Sequence, residues 1–301
     1  GSRQEVAVKV LHPGVRERIE MDLDVFRACA GLLEAAPFLR WLSLGESVEE
    51  FAGLMRLQLD LRLEANHLDR FSTNFSGSRQ VSFPRPVRPL VSDGVLVESF
   101  EGGEPIATHL TGEDGVVKRR LARIGVDAFL KMCFLDNFVH GDMHPGNMLV
   151  SGGGADDLRL VLLDAGITTE LSDRDKENFV LLFSAIVKGD GREAGRLMLD
   201  NARDHRCQDP EAFCEGMRGL VDEALGSKLR LESISAGEVL RKAFSLACTH
   251  RVKIESNFAS ICIAIMVLEG VGRRLDPTLD ILNAAIPVLA ARTLRYKAGL
   301  G

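Results

Sequence analysis

Several patterns that identify large classes of protein are missing from this sequence. Its six cysteines form no Cys-x-x-Cys pair, which argues against a structural zinc site because the usual ligand spacing is absent. Most of them lie in apolar, helix-like segments, so we expect buried thiols in a reducing compartment. They are Cys29, Cys133, Cys207, Cys214, Cys248 and Cys262.

Excess positive charge and long apolar runs are also absent. The formal net charge is −6 and the pI is near 5.7, whereas a nucleic-acid-binding protein presents a basic surface, so we expect no nucleic-acid partner. The longest apolar run, Phe258–Leu268, is about half of the roughly 20 residues that a membrane-spanning helix needs, and we predict a core helix there. The opening residues, Gly1 and Ser2, are typical of a cloning scar or a cut edge, so we expect any targeting segment to precede them.

What the sequence does contain is enough apolar material for a large core. With 301 residues, of which 46% are hydrophobic, the chain has the size of one large domain or two lobes. The run Val6–Leu11 predicts a strand, and His12-Pro13-Gly14 predicts the turn that ends it. Helical spacing of apolar residues extends over Val15–Phe75, and Pro37 together with residues 43–47 divides that stretch into at least two helices.

A second pattern begins after this helical stretch. Short strand candidates occur between Val81 and Phe100, and the last of them leads into Glu101-Gly102-Gly103, which we interpret as a lobe boundary. An amphipathic helix is predicted over Val116–Phe138. Two apolar strands are predicted next, and the chain from about Ser172 onward has the pattern of continuous helix. The strands are Met148–Val150 and Leu158–Leu163.

Three polar residues have the spacing of a phosphotransferase active site. Asp142 and Asn147 reproduce the Asp-x-x-x-x-Asn spacing of a kinase catalytic loop, in which the aspartate accepts the hydroxyl proton and the asparagine ligates a metal. Asp164 ends an apolar strand in Leu-Asp-Ala-Gly, which fits the metal-binding aspartate of an Asp-Phe-Gly element. The set predicts chemistry with ATP and Mg²⁺.

A lysine and a glutamate extend this set. Lys9 in VAVKV matches the strand lysine that contacts the α- and β-phosphates, and such a lysine needs a glutamate partner from a helix. Glu64 in Leu-Glu-Ala is the candidate partner. The long separation between the two residues predicts an inserted helical segment. Taken singly, Lys9 also fits a solvated strand lysine and Glu64 one charge on a helix face.

The aspartates have alternative interpretations as well. Asp142 also fits an Asx-turn before a proline, and Asp164 also fits a helix cap. His140, Asp142 and His144 alternate and suggest a metal-hydrolase triad for zinc or manganese, although that triad leaves Asn147 and Asp164 without a role. We therefore prefer the interpretation in which His144 hydrogen-bonds the loop backbone and holds Asp142 in place.

Beyond spacing, the sequence resembles the UbiB family, the aarF-domain-containing atypical kinases. The resemblance rests on five blocks that together span nearly the whole chain: VAVKVLHPGV, LDLRLEAN, LVESFEGG, HGDMHPGN and LVLLDAGI. Near the C-terminus, KIESNFASICIAIMVLEGVGRRLDP is similar to the mitochondrial second paralogue of the animal aarF-domain kinases. HGDMHPGN alone would fit small-molecule phosphotransferases of the aminoglycoside or choline kinase type equally well, but the other blocks favour UbiB.

The resemblance implies an α+β, bilobal protein-kinase-like fold with a small N-lobe and a mostly helical C-lobe, which we place at residues 1–100 and 101–301. It implies ATPase or small-molecule kinase activity in coenzyme Q (ubiquinone) biosynthesis and mitochondrial lipid metabolism. The implied partners are a nucleotide, a lipid or quinone-like small molecule, a membrane surface and a biosynthetic complex. It also assigns six site residues: catalytic Asp142 with the Lys9–Glu64 pair, Glu98 with Lys9 in nucleotide binding, and the metal ligands Asn147 and Asp164.

The sequence also departs from the family pattern. The family's Lys-x-Gly-Gln element, its first two strands and its alanine-rich phosphate loop are absent, so we expect this N-lobe to begin at the third strand. The family's Glu-x-Asp element is Gln58-Leu59-Asp60 here, which leaves Asp60 as its one carboxylate. The missing phosphate loop and the apolar helices over Val239–Leu289 motivate an alternative, a catalytically idle, lipid-binding pseudokinase.

Two further departures bear on the substrate. Gly141 replaces the arginine that pairs with an activation-loop phosphate in regulated kinases, so activation-loop control is not expected. No Ala-Pro-Glu element follows Asp164, which leaves little platform for an extended peptide. A protein substrate is therefore disfavoured.

Overall fold

The computed structural model describes residues 5–36, 44–111, 115–152, 154, 157–202, 207–226 and 235–297. By its internal contacts the chain divides into two compact units. The first comprises residues 1–77, 83–102 and 164–167, and the second comprises residues 78–82, 103–163 and 168–301. The division into domains at residue 100 stays a prediction.

Short strands and longer helices alternate along the chain. The strands are β1 (Val6–Val10), β2 (Val81–Ser82), β3 (Val95–Ser99), β4 (Glu104–Pro105), β5 (Val139–His140), β6 (Met148–Ser151), β7 (Arg159–Leu162) and β8 (Thr168–Thr169). The helices are α1 (Val15–Glu34), α2 (Leu44–Leu57), α3 (Leu61–Asn74), α4 (Ile106–His109), α5 (Gly115–Lys131), α6 (Asp173–Lys188), α7 (Gly191–Asn201), α8 (Pro210–Gly226), α9 (Ala236–Thr249), α10 (Ser256–Leu275) and α11 (Ile281–Lys297).

In the first unit, a two-stranded antiparallel sheet carries the predicted strand lysine. β1 pairs with β3 so that Lys9 lies opposite Leu96 and Ala7 lies opposite Glu98. Since side chains alternate along a strand, Lys9 and Glu98 point to the same face of this sheet. The predicted turn follows β1, and Gly14 there has a φ of 75°, a conformation that glycine adopts without steric cost.

The predicted inserted segment of the first unit is helical. It forms three helices, α1 to α3, in agreement with the expectation of at least two; Pro37 lies outside the described residues. The carboxylate of Asp60 caps α3 by accepting a hydrogen bond from the Arg62 amide at 3.0 Å. On the buried face of α3, the ring of Phe71 stacks on that of Phe83 with centroids 4.8 Å apart.

In the second unit, β2 and the strands after the predicted boundary form two small sheets. A four-stranded sheet has the order β2-β7-β6-β4, and the two strands that the apolar runs predicted, β6 and β7, are antiparallel neighbours in it. β5 pairs with β8, which places Val139 opposite Thr169 and His140 opposite Thr168. The sequence did not predict β8, because a two-residue strand has too little alternation to be recognised.

The helix predicted over residues 116–138 changes its geometry before it ends. α5 stops at Lys131, and Met132–Asp136 form a π-helical turn. Asn137 then adopts a left-handed conformation with a φ of 50°, which asparagine tolerates better than most residues. The prediction of one regular helix is therefore wrong in its last turns. An ion pair between Lys131 Nζ and Asp136 Oδ2, 2.6 Å apart, spans the π-helical turn.

The rest of the second unit is helical, as predicted from about Ser172. Residues of α6, α7, α8 and α9 share one apolar core that includes Leu182, Phe213 and Met217. The predicted core helix at residues 258–268 is part of α10, which buries Ile261, Leu268 and other apolar side chains. None of the helices within the described residues has the length and apolar character to cross a membrane.

A buried carboxylate joins two of these helices. Glu269 of α10 is only 3% exposed. Its carboxylate accepts hydrogen bonds at the start of α9 from Ser235 Oγ at 2.7 Å, the Ala236 amide at 2.8 Å and the Gly237 amide at 2.6 Å. The two amides are groups that a helix leaves without an internal partner, so Glu269 completes the N-terminus of α9.

The cysteine expectation is partly wrong. All six thiols are free, and Cys133, Cys214 and Cys262 are buried as predicted. Cys29 and Cys248, however, are exposed. Both lie on amphipathic helices, α1 and α9, where one face points to solvent, and apolar spacing alone does not show on which face a cysteine falls.

Candidate active site

Two carboxylates of the first unit meet at the ammonium of Lys9. Its ammonium donates a hydrogen bond to Glu64 Oε1 and lies 3.2 Å from Asp164 Oδ2. The three residues come from β1, from α3 and from the segment that follows β7. The ion pair between Lys9 and Glu64 that the sequence predicted is therefore present, and Asp164 joins it.

The three members of this cluster differ in their exposure to solvent. The Glu64 side chain is 6% exposed, whereas those of Lys9 and Asp164 are 35% and 40% exposed. Burial alone would disfavour the ammonium, but the carboxylates of Glu64 and Asp164 outweigh it and raise the pKa of Lys9. The buried carboxylate of Glu64 thus holds Lys9 as a cation, and one side of the Lys9 ammonium is open to solvent.

Glu98 lies near this cluster and is buried. Its Oε2 has no hydrogen-bond partner within the described residues. Burial raises the pKa of Glu98 to about 7, and the charges of Glu64 and Asp164 add to the rise, while Lys9 opposes it. Its carboxyl group is therefore present in both protonation states near neutral pH. Its assignment to nucleotide binding stays a prediction.

The segment after Asp164 is fixed by local hydrogen bonds. Asp164 Oδ1 accepts a hydrogen bond from the Gly166 amide at 2.8 Å, and His67 Nδ1 lies 2.8 Å from the carbonyl oxygen of Ala165. With Nδ1 protonated, the His67 ring donates to that carbonyl. Asp164 is not the helix cap considered from the sequence, because Ser172 caps α6, the next helix.

In the second unit, Asp142 and Asn147 are in direct contact. Asn147 Nδ2 donates a hydrogen bond to Asp142 Oδ2 at 3.0 Å and approaches the Asp142 carbonyl oxygen at 3.3 Å. The buried His140 ring accepts a hydrogen bond from the Asp142 amide at 3.1 Å through Nδ1. The loop therefore fixes the backbone of Asp142 on one side and its carboxylate on the other, while the Asp142 side chain stays 38% exposed.

His144 contacts the loop backbone, as predicted. Its Nδ1 accepts a hydrogen bond from the Gly146 amide at 3.0 Å, and its Nε2 lies 3.6 Å from Asp142 Oδ2. The zinc or manganese triad is not formed, since no three His, Cys, Asp or Glu side chains in the part of the chain that the structure describes are arranged to hold a metal ion.

Sequence reasoning missed Asn137, which fixes the start of this loop. The residue is 7% exposed. Its Nδ2 donates to the Leu171 carbonyl oxygen at 2.8 Å, and its Oδ1 accepts from the Leu171 amide at 3.2 Å. The only signal in the sequence is an asparagine that follows a long helical pattern, which indicates a turn but not a partner 34 residues away.

The donor atoms of the predicted metal ligands suit Mg²⁺, which prefers oxygen. Asn147 directs its amide nitrogen at Asp142, and its Oδ1 makes no hydrogen bond within the described residues, so this oxygen is available to a cation. Asp164 already has the Lys9 ammonium at one carboxylate oxygen, which shows that it accepts a positive charge there. Asp60, the remaining carboxylate of the Glu-x-Asp element, caps α3 and pairs with Arg62.

Two family models match the sequence. The ABC1 atypical kinase-like domain matches residues 1–198, and the UbiB helical domain matches residues 217–280. The first match contains all six predicted site residues. The second covers most of α8, α9 and α10, which the sequence predicted only as helix.

Curated relatives include a mitochondrial ABC1 family protein of Saccharomyces cerevisiae, 35% identical over 94% of this chain and 50% of its own length. A probable serine/threonine-protein kinase of Dictyostelium discoideum is also 35% identical, with the same coverage. The probable protein kinase UbiB of Aliivibrio salmonicida is 30% identical over 96% of this chain and 53% of its own length. The chain thus spans about half the length of these relatives.

A solved structure supports the fold. A Mycobacterium tuberculosis protein in complex with erythromycin aligns with a TM-score of 0.61 and 17% identity, over 91% of this chain and 68% of that one. The α+β kinase-like fold is therefore confirmed.

Relatives from both Saccharomyces cerevisiae and Schizosaccharomyces pombe are named as mitochondrial, which agrees with the location that the resemblance implied. On the matches to both family models, the chain belongs to the ABC1/UbiB family of atypical kinase-like proteins.

Proposed function

We propose that this chain is the catalytic part of a magnesium-ATP-dependent ATPase or small-molecule kinase. The observation that carries the proposal is the ion pair of Lys9 with the buried Glu64, together with the contact to Asp164. A surface lysine needs no buried partner, whereas a lysine that contacts phosphates must be held in one position. The exposed side of Lys9 leaves its ammonium accessible to an anionic ligand.

Five of the six predicted site residues have a role in this proposal, and Asn147 has two. Lys9 contacts the phosphates, and Glu64 fixes its position. Asp142 accepts the proton of the attacking hydroxyl group or water, while Asn147 orients the Asp142 carboxylate through its amide nitrogen. Asn147 Oδ1 and Asp164 are the metal ligands, and bound Mg²⁺ would neutralise the charge that develops on the phosphates.

We propose water or a small molecule as the acceptor of the phosphoryl group. Only residues 165–172 separate Asp164 from α6, which leaves little room for a segment that could present an extended peptide. The relatives named as probable protein kinases make a protein substrate the competing possibility. ATP turnover by the purified chain without any added protein would support our choice.

Membership of the ABC1/UbiB family supports a role in coenzyme Q biosynthesis and mitochondrial lipid metabolism. The partners in this proposal are a lipid or quinone-like small molecule, a membrane surface and a biosynthetic complex. Aminoglycoside or choline kinase activity is a weaker alternative, because the match to the UbiB helical domain places the second unit in a different family.

A catalytically idle, lipid-binding pseudokinase is the second candidate. An apolar groove among the helices of the second unit favours it, since that groove lies outside the catalytic loop. The two candidates differ in one measurable property. The pseudokinase binds its lipid without binding nucleotide in a magnesium-dependent way.

Thermal unfolding with and without magnesium-ATP tests the proposal. A ligand at 100 times its dissociation constant adds about 2.7 kcal/mol to the free energy of unfolding, which is easily measured. We expect this gain for the wild type and for the control Asp173→Asn, which changes an exposed residue in the first turn of α6. We expect no gain for Asp164→Asn. Equal gains in Asp164→Asn and the wild type would contradict the proposal, and no gain in any variant would favour the pseudokinase.

A further inference from the structure

A polar cavity in the first unit has no assigned function. Its volume is about 290 Å³, and it is open to solvent. This volume is close to the lower end of the roughly 300–1,000 Å³ that small-molecule sites occupy. The lining comes from the start of α1, the end of α2, the start of α3 and the loop before β3, and it contains none of the six predicted site residues. Its charged members are Arg16, Arg56, Arg62, Glu20, Asp60 and Asp93.

Two of the arginines are each anchored by a pair of hydrogen bonds to one carboxylate. Arg56 donates through Nε and Nη2 to the two oxygens of Glu20, at 2.6 and 2.7 Å. Arg62 donates through Nε and Nη2 to the two oxygens of Asp60, at 2.8 and 2.7 Å. These bonds lower the pKa of Glu20 and that of Asp60, so both carboxylates are ionised at neutral pH. Ion pairs as exposed as these contribute little to stability, but they fix the direction of each guanidinium group.

Arg16, the third arginine, is anchored through one nitrogen. Its Nη2 donates to Asp93 Oδ2 at 2.9 Å and to the Leu59 carbonyl oxygen at 3.0 Å. In all three arginines Nη1 makes no hydrogen bond to a described residue, and each Nη1 carries two N–H groups. Two of the three carboxylates, in contrast, already accept hydrogen bonds at both oxygens. The cavity therefore has more free hydrogen-bond donors than free acceptors.

Free donors on three separate side chains suit a phosphoryl group. Its oxygens point to the corners of a tetrahedron, so it accepts hydrogen bonds from several guanidinium groups at once, whereas the two oxygens of a carboxylate lie in one plane. The three carboxylates of the lining balance the charge of the three arginines. Recognition therefore rests on directed hydrogen bonds rather than on a net positive charge.

We infer that this cavity binds a soluble small molecule that carries phosphoryl groups, at a site separate from the catalytic residues. The phosphoryl oxygens would accept hydrogen bonds from the free N–H groups of Arg16, Arg56 and Arg62. An uncharged apolar ligand or a cationic ligand would leave these donors without acceptors. The inference does not depend on the proposed ATPase or kinase activity.

Isothermal titration calorimetry with inorganic pyrophosphate, in a buffer without Mg²⁺, tests the inference. We expect saturable binding to the wild-type chain. Arg56→Gln and Arg62→Gln each remove one guanidinium group, so each should weaken binding roughly tenfold or more. The matched control is Arg123→Gln, which breaks an exposed ion pair with Asp127 on α5, and we expect it to bind like the wild type.

Two further variants sharpen the test. Asp93→Asn keeps an oxygen for Arg16 but removes one negative charge from the lining, so pyrophosphate should bind roughly severalfold more tightly. Lys9→Met separates this site from the catalytic residues, and we expect it to bind pyrophosphate like the wild type.

The same titrations can overturn the inference in three ways. The first is an absence of pyrophosphate binding to the wild type, including the case in which phosphatidylglycerol vesicles bind instead through the arginines. The second is unchanged binding in both Arg56→Gln and Arg62→Gln, each shown to be folded by thermal unfolding. The third is binding that is lost in Lys9→Met, which would place the pyrophosphate at the catalytic residues.

Discussion

The side chain of Asn137 holds the backbone of Leu171 through both its amide and its carbonyl group. The two hydrogen bonds measure 2.8 and 3.2 Å and are buried. They link Asn137, two residues before β5, with Leu171, the residue just before the cap of α6. The chain that leads into the catalytic loop is thereby attached to the segment that starts the helical region.

Loss of this contact should destabilise the chain. Asn137→Gly keeps a residue that tolerates the left-handed conformation but leaves the buried Leu171 backbone groups without partners, at a cost of about 1–3 kcal/mol. Asn137→Ala should cost more, since alanine also disfavours that conformation. Urea unfolding measures both values. An Asn137→Gly variant as stable as the wild type would show that water replaces the contact at no cost.

Substitutions of Lys9 and Glu64 should have non-additive effects on the free energy of unfolding. Lys9→Met leaves the Glu64 carboxylate buried without its cation, which we expect to cost about 1–3 kcal/mol. That is below the roughly 3–5 kcal/mol for a fully buried pair, because Lys9 is 35% exposed. The double variant Lys9→Met/Glu64→Gln should recover part of the loss. A double-mutant cycle by urea unfolding with purely additive effects would argue against the pair.

Glu98 should make the stability of the chain depend on pH. Its pKa rises from 4.5 in the unfolded chain to about 7 in the fold, so between these values the folded chain binds more protons. The contribution of Glu98 to the free energy of unfolding is complete below pH 4.5 and is lost as the pH rises through 7. The total loss is roughly 3 kcal/mol.

Comparison with Glu98→Gln isolates this contribution. The glutamine cannot titrate, so the free energy of unfolding of the wild type minus that of the variant should fall between pH 5 and pH 7. Urea unfolding at several pH values measures the difference. A constant difference across this range would show that Glu98 does not titrate there.

Substitution of Asp142 should lower ATP turnover without removing nucleotide binding. Asp142→Asn keeps the size of the side chain but removes the proton acceptor, so ATP turnover should fall by roughly 100- to 10,000-fold while magnesium-ATP still raises the unfolding temperature. His144→Ala is the control for the metal-hydrolase interpretation, under which it would abolish activity. We expect His144→Ala to retain most of the turnover, because the ring contacts Asp142 only at 3.6 Å.

Glu269 should matter for the stability of the helical region. Glu269→Leu removes the acceptor for three donors at the start of α9, and we expect a loss of about 2–4 kcal/mol. Glu269→Gln keeps one acceptor oxygen and should cost less. The control Glu223→Gln breaks an exposed ion pair with Lys242 and should change stability by less than about 1 kcal/mol. Equal effects of Glu269→Leu and Glu223→Gln in thermal unfolding would contradict the role of Glu269.

Features that depend on local patterns could be predicted from the sequence. The strand with Lys9, the helices that follow it, strands β6 and β7 and the helical C-terminal region all follow from apolar spacing and turn residues. The contact between Asp142 and Asn147 follows from a five-residue spacing. The partner of Lys9 required a known motif, because nothing in the spacing of Glu64 identifies it.

Features that depend on distant contacts could not be predicted. The Leu171 backbone is 34 residues from Asn137, and Glu269 is a similar distance from the helix start that it caps. The burial of Glu98 follows from the pairing of β1 with β3 and from the packing around it. A sequence shows the type of each residue but not the partner that tertiary packing supplies.

The π-helical turn at Met132–Asp136 has a consequence for changes in chain length. Such a turn contains one residue more than an α-helical turn would, and removing any one residue there would let α5 continue as a regular helix. The wider π-helical turn absorbs that extra residue, so its removal would leave the direction in which Asn137 and the following loop leave the helix nearly unchanged. A deletion within the regular turns of α5 would instead rotate everything beyond it by about 100° around the helix axis, so the chain should tolerate a one-residue deletion better in the π-helical turn than in α5.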